Sequence, residues 1–262
     1  MNRLTYMILT FCFLVVLTCH YTPLIDPVVH GDGAHYRAMA MGEQVPQPFM
    51  DRIFLSTIIG WLADHIDIAS WTYVIDNLDA WFFVWTFMCL WITVQLVYSA
   101  MRRFGISDDS ASLAGFLYLS TFWLTGYQLS NPWLQDPFVN MCVWLGIYLW
   151  SIRWYYGMLG LMLAITIKGG VLGYNWAVIS HSCSFYSDIP QILFAFGFLW
   201  LAAAVADKRL LAILALVFIA GGIVTCDVAR ACVEVFSFPV MLGVAWITDR
   251  YLTKVRWRDI IM

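Results

Sequence analysis

Long apolar runs separated by short polar turns dominate the chain from residue 4 onwards. The runs are continuous and do not alternate at period two, so they read as helices, not as the strands of a barrel. A helix needs about 20 apolar residues to cross a bilayer. Runs at 4–20, 80–100, 111–127, 137–152, 155–175, 188–205, 208–224 and 232–249 predict eight spans. A further apolar stretch, 53–67, is short and closes on Asp64, His65 and Asp67. Its Ile53, Ile58, Ile59 and Leu62 fall near helical spacing. That pattern fits either an amphipathic helix in the membrane interface or a short ninth span. The longest polar stretch is His30–Arg52, HGDGAHYRAMAMGEQVPQPFMDR, and it interrupts the apolar pattern soon after the first run.

Composition fixes the class. Of 262 residues, 62% are hydrophobic and only 12% charged, and the mean hydropathy is +0.76. Soluble domains carry about 25% charged residues. Hydrocarbon leaves bare backbone unsatisfied, so the expectation is an all-α, polytopic membrane helix bundle, one transmembrane domain over residues 1–262. A net charge of −3 favours neither nucleic acid nor an anionic surface as a partner of the whole chain. The seven cysteines lie mostly inside apolar runs without a CxxC pair and read as packed thiols. The basic, apolar first twenty residues lack a small-x-small cleavage site and read as an uncleaved first span.

Charge then sets orientation and decides the status of 53–67. Basic residues collect in cytoplasmic loops near helix ends. With the N-terminus inside and 53–67 on the surface, ten of the fourteen basic residues face the cytoplasm: Arg3, Arg102, Arg103, Arg153, Lys208, Arg209, Arg250, Lys254, Arg256 and Arg258. If 53–67 crossed the bilayer, every later loop would invert and the bias would vanish. Both termini are therefore expected inside, with an outer loop over 21–79 and a basic juxtamembrane end over 250–262. All four outer connections carry acids, Asp26, Asp32, Glu43 and Asp51, then Asp136, Asp188 and Asp227, and three of them also carry the basic residues left outside, Arg37 and Arg52, Lys168, and Arg230.

Several of these residues invite a chemical reading beside a structural one. Asp32 sits between Gly31 and Gly33, where the backbone can turn sharply, ahead of His35 and Tyr36. It suits a proton acceptor or a metal ligand, and equally a cap for a helix over His35–Met41. Ala38 and Met41 share a face of that helix and suggest an apolar side against the membrane. Asp136, between Pro132 and Pro137, reads as a helix start that also puts a carboxylate at the outer mouth. Lys168 follows about 20 Å of helix, short of the roughly 30 Å core, so it lies near the outer leaflet, snorkelling or facing a phosphate. Asp227 and Arg230 are three apart, as an ion pair or as part of a phosphate site, with Glu234 one turn on. Trp133 and Trp176 are candidates for an outer groove. The five histidines form no HxH or HxxxH pair, so no dedicated metal site is expected. GxSxG, Walker A and GxGxxG motifs are absent.

Taken together, GDGAHYRAMAMG followed by PFMDRIFLSTIIGWLA resembles the GT-C superfamily of integral membrane glycosyltransferases, which use polyprenyl-phosphate sugars. The matching positions are Asp32, Tyr36 and Ala40, spaced D-x-x-x-Y-x-x-x-A, and Pro48, Phe49 and Arg52. NPWLQDP resembles the family's second outer loop, and Lys168 with DVARACVEVFSFP its phosphate-side region. The family's later proline is replaced by Ser56 and Thr57, and its paired acids have only Asp26 and Asp32 as a counterpart. The resemblance implies inverting sugar transfer on the outer (periplasmic or luminal) face to a glycan, lipid or protein acceptor. Asp32 would be the general base, with Lys168 or Arg230 on the leaving phosphate. Asp26, His35, Tyr36, Arg52, Asp136 and Asp227 would complete the substrate site. A divalent cation, Mg or Mn, is compatible with this chemistry and not required by it. Two other readings stay open: a non-catalytic membrane subunit of an envelope pathway, and a small transporter, which calls for broken helices in matching halves.

Overall fold

The computed structural model describes residues 1–21, 32–46, 53–69, 76–168, 201–202, 205 and 228–251, and among these it is helical without strands. Helix α1 runs Arg3–Tyr21, α2 Asp32–Ala40, α3 Ile53–His65 and α4 Asn77–Arg103. Helix α5, Asp108–Ser120, continues through a π-helical turn, Phe122–Gly126, into the short α6, Tyr127–Ser130. Helix α7 is Asp136–Trp150, α8 Trp154–Lys168 and α9 Val228–Tyr251. By length and composition α1 and α4 can each cross a membrane, both with a mean hydropathy of 1.8. The expected spans at 188–205 and 208–224 lie outside the described residues, apart from helical positions 201, 202 and 205.

The core gathers α1, α4, α5, α7 and α9. Tyr6 on α1 stacks on Tyr98 of α4 at 4.6 Å and donates a hydrogen bond to the Val94 carbonyl, 3.1 Å away. It fits only because position 115 is glycine: a Cβ there would stand 1.8 Å from the Tyr6 hydroxyl. Gln95 donates to Thr10 and the Trp144 indole to Ser237, so polar groups inside the bundle bond between helices. Helices α7 and α8 meet backbone to backbone, since a Cβ on Gly160 would lie 2.5 Å from the Gly146 Cα. Small residues give apolar helices this close approach.

The run expected as one helix over 111–127 is broken at Thr121, whose backbone is extended. The cause is local. Ser120 and Thr121 turn their hydroxyls back onto the Phe116 and Leu117 carbonyls, each at 2.8 Å, and Thr125 bonds to the Tyr118 carbonyl. Such back-bonding competes with the helical ladder and bends it. Helix α2 also differs from expectation. It starts at Asp32, so that residue occupies the first helical position and does not cap a helix beginning at His35. Its buried face is Tyr36 and Met39, 3% and 4% exposed, whereas Met41 is 49% exposed. Gly42, at φ +79°, ends it: Glu43 N–H bonds to the Ala38 carbonyl and Gly42 N–H to that of Met39.

Candidate functional site

The first residues of α4 hold together everything around the polar stretch. Asp76 caps α4 by accepting from Leu78 N–H. Asn77 works on α3. Its amide donates to the Ala63 and Ile66 carbonyls and accepts from Ile68 and Ala69 N–H, so the free end of α3 is satisfied. The Trp81 indole adds a second bond to the Ile66 carbonyl. Arg37 of α2 then spans both acids of this turn, bonding to Asp79 Oδ1 through Nε at 2.9 Å and to Asp76 through its terminal nitrogen. The Trp133 indole donates to the same Asp79 oxygen at 2.8 Å, and Thr86 bonds to the Pro132 carbonyl. Burial opposes the charge on Arg37, but its bonds to Asp79 and the charges of Asp79 and Asp76 outweigh it and hold its pKa above the ordinary value.

Apolar packing reinforces this clamp. Leu55 and Ile59 of α3 lie against Leu78, Phe82 and Trp133. Tyr36 and Met39 of α2 lie against Val45 and Leu134. Helices α2 and α3 touch directly, because a Cβ on Gly60 would stand 2.1 Å from the Ala40 carbonyl oxygen. Between the end of α2, the exposed side of α3 and the start of α4 lies a cavity of about 720 Å³. Trp61, Asp64, Thr57, Asp76 and Asn77 line its polar part. Trp61 is 57% exposed and stacks on His65 at 4.6 Å. Asp64 is exposed and makes no hydrogen bond or ion pair among the described residues. The open carboxylate of Asp64 and the indole of Trp61 form a surface suited to a polyhydroxylated ligand, with oxygens to receive hydroxyl protons and a ring to cover its C–H face, while the Asn77 amide stays committed to α3.

The expected site residues fall in different places. Tyr36 is buried in the packing between α2 and the 131–135 turn, so it positions α2. His35 is half-buried on the same helix. Asp136 is 7% exposed at the first residue of α7, with Gln135 before it and Pro137 in the first turn. Asn140, one turn on from Asp136, is 1% exposed, and neither of its amide atoms is bonded among the described residues. Asp32 begins α2, Lys168 ends α8 and Arg230 lies in the first turn of α9; their side chains lie outside what is described. Asp26, Arg52 and Asp227 lie outside the described residues altogether. Trp133 is buried at 6% and committed to Asp79, so it supports the site and does not line it. No three His, Cys, Asp or Glu side chains converge as a metal site among the described residues.

The clamp around Arg37 was not anticipated. The signal for its acidic half is present in the sequence: Asp76 and Asp79 are three apart at the start of an apolar helix and so share a face. Compared with protein-family models, curated proteins and solved structures, the chain matches none.

Proposed function

We propose that the protein is a membrane glycosyltransferase of the GT-C type that transfers a sugar from a polyprenyl-phosphate donor to an acceptor on the outer face. The cavity of about 720 Å³ carries this reading, because its lining combines the exposed Trp61 and Asp64 of α3 with the end of α2, the helix that begins at Asp32. Its size falls within the roughly 300–1,000 Å³ of small-molecule sites. Met39, at the cavity, is seven residues from Asp32, or about 10 Å along α2. The cavity and the start of α2 therefore belong to one short helix. In the reaction, the acceptor hydroxyl gives its proton to Asp32 as its oxygen bonds to the anomeric carbon. The bond from that carbon to the phosphate oxygen breaks, and the phosphate leaves with the electron pair, its charge met by Lys168 or Arg230. Replacing Trp61 by Ala and Asp64 by Asn is expected to lower transfer about tenfold each, through weaker sugar binding, a loss of about 1.4 kcal/mol. Unchanged lipid-linked sugars and glycans in cells carrying the double variant would favour the non-catalytic subunit.

The accompanying topology is eight spans with both termini in the cytoplasm and α3 in the outer interface. Helix α3 supports it by being apolar on two sides: Leu55 and Ile59 are buried in the protein, while Phe54 and Trp61, seven apart, are 56% and 57% exposed. A helix in the interface has protein on one side and the headgroup boundary on the other. A cysteine at exposed position 65 is expected to react with a membrane-impermeant thiol reagent added outside. Labelling only from the cytoplasmic side would overturn the topology. The break at Thr121 favours a transporter as the second reading, since it is one of the two broken helices that reading needs.

A further inference from the structure

At the opposite end of the bundle, a second cavity of about 350 Å³ opens between α1, α4 and α7, lined by Arg3, Tyr98, Ser99, Arg102, Arg103 and Tyr148. We infer that it is a binding site for the phosphate of an acidic phospholipid headgroup. Three arginines line it, at the start of one and the end of the other of the two helices long enough to cross a membrane. Among the described residues only one of them is neutralised. Arg102 pairs with Asp108 at 2.7 Å and also bonds to the Ile106 carbonyl, and the Tyr98 hydroxyl donates to the same carboxylate at 2.8 Å. Asp109, the neighbouring acid, is held by the N-terminal amine at 2.5 Å. Asp249 is engaged by Ser107 N–H. Arg3 and Arg103 make no hydrogen bond or ion pair among the described residues, so two cations remain for a ligand.

The hydroxyls of Ser99 and Tyr148 add neutral donors beside these charges. Planar guanidinium forks with neighbouring hydroxyls match the tetrahedral oxygens of a phosphate. The position selects a lipid over a soluble anion. Arg3 sits one residue before Leu4, which begins an exposed apolar stripe on α1 with Ile8, Phe11 and Val15. These positions repeat at helical spacing, so an acyl chain has a continuous wall running down from the headgroup. Basic pockets between membrane helices hold acidic headgroups in this way. The site is independent of the sugar-transfer reading, because none of its residues touches the outer cavity.

The test uses the full chain in nanodiscs of phosphatidylcholine with and without phosphatidylglycerol, read by native mass spectrometry of retained lipid and by thermal unfolding. The wild type is expected to retain phosphatidylglycerol about tenfold over phosphatidylcholine, corresponding to about 1.4 kcal/mol, and to unfold at a higher temperature when it is present. Arg3→Gln with Arg103→Gln is expected to abolish both effects. Arg153→Gln, which removes an exposed arginine bonded to Tyr155 and outside the cavity, is expected to preserve them. Inorganic phosphate in phosphatidylcholine nanodiscs is the second arm. Stabilisation by phosphate without preferential retention of phosphatidylglycerol would overturn the lipid assignment in favour of a soluble anion. Equal retention by wild type and double variant, or equal losses in the Arg153→Gln control, would overturn the site.

Discussion

Arg37→Ala is expected to destabilise the end of the protein where α2, α3 and α4 meet by about 2–3 kcal/mol. The side chain is 26% exposed and joins α2 to both acids of the first turn of α4. Its removal leaves Asp79, 21% exposed, with only the Trp133 indole. Asp76 is 40% exposed and keeps its bond to Leu78 N–H, so solvent softens that half of the loss. For a chain of this size the change corresponds to a fall of about 5–10 °C in thermal midpoint. Arg37→Lys keeps the charge but not the two-pronged geometry, and is expected to lie between alanine and wild type. Equal midpoints for wild type and Arg37→Ala in thermal unfolding would show that α2 is held by apolar packing alone.

The second large effect is expected at Gly60, where α3 presses on the backbone of α2. A methyl group there meets the Ala40 carbonyl oxygen at 2.1 Å and its carbon at 3.0 Å. Neither atom belongs to a side chain that can swing away, so α2 must shift. Overpacking of this kind costs about 1–3 kcal/mol. The movement also opens the outer cavity, whose wall includes both Gly60 and Ala40. Gly60→Ala is therefore expected to lower the thermal midpoint by several degrees and to weaken any ligand of that cavity in parallel. Gly42→Ala makes a useful comparison: it meets nothing within 4 Å but must hold φ at +79°. Its expected cost, about 1–2 kcal/mol, comes from backbone strain without displacement of α2. Identical midpoints for Gly60→Ala and wild type would contradict the close contact between α2 and α3.

What the sequence disclosed follows a physical division. Continuous apolar runs located α1, α3 and α4 to within a few residues, because burying apolar surface governs where those helices begin and end. The break at Thr121 was hidden inside such a run. It depends on hydroxyl groups turning back onto particular carbonyls, which hydropathy does not register. The side of α2 packed in the protein, Tyr36 and Met39, was not read from the sequence, because a nine-residue helix offers little periodicity and its neighbours Val45 and Leu134 decide which side is covered. Arg37 was noticed for its sidedness, but its partners lie 39 and 42 residues away. No local pattern joins residues so far apart. Asp32 is singled out in the sequence by its glycines and its spacing to Tyr36, whereas the cavity beside the end of α2 arises only when α2, α3 and α4 come together.

The central claim is that the outer polar stretch transfers sugars, with Asp32 accepting the proton. Its most direct measurement is transfer by purified protein in lipid, from labelled polyprenyl-phosphate sugars to cell-derived acceptors, comparing wild type with Asp32→Asn. The substitution preserves size and removes the proton acceptor. The account predicts a rate lower by about 10²–10⁴-fold at an unchanged thermal midpoint. Transfer by folded Asp32→Asn at the wild-type rate would contradict it.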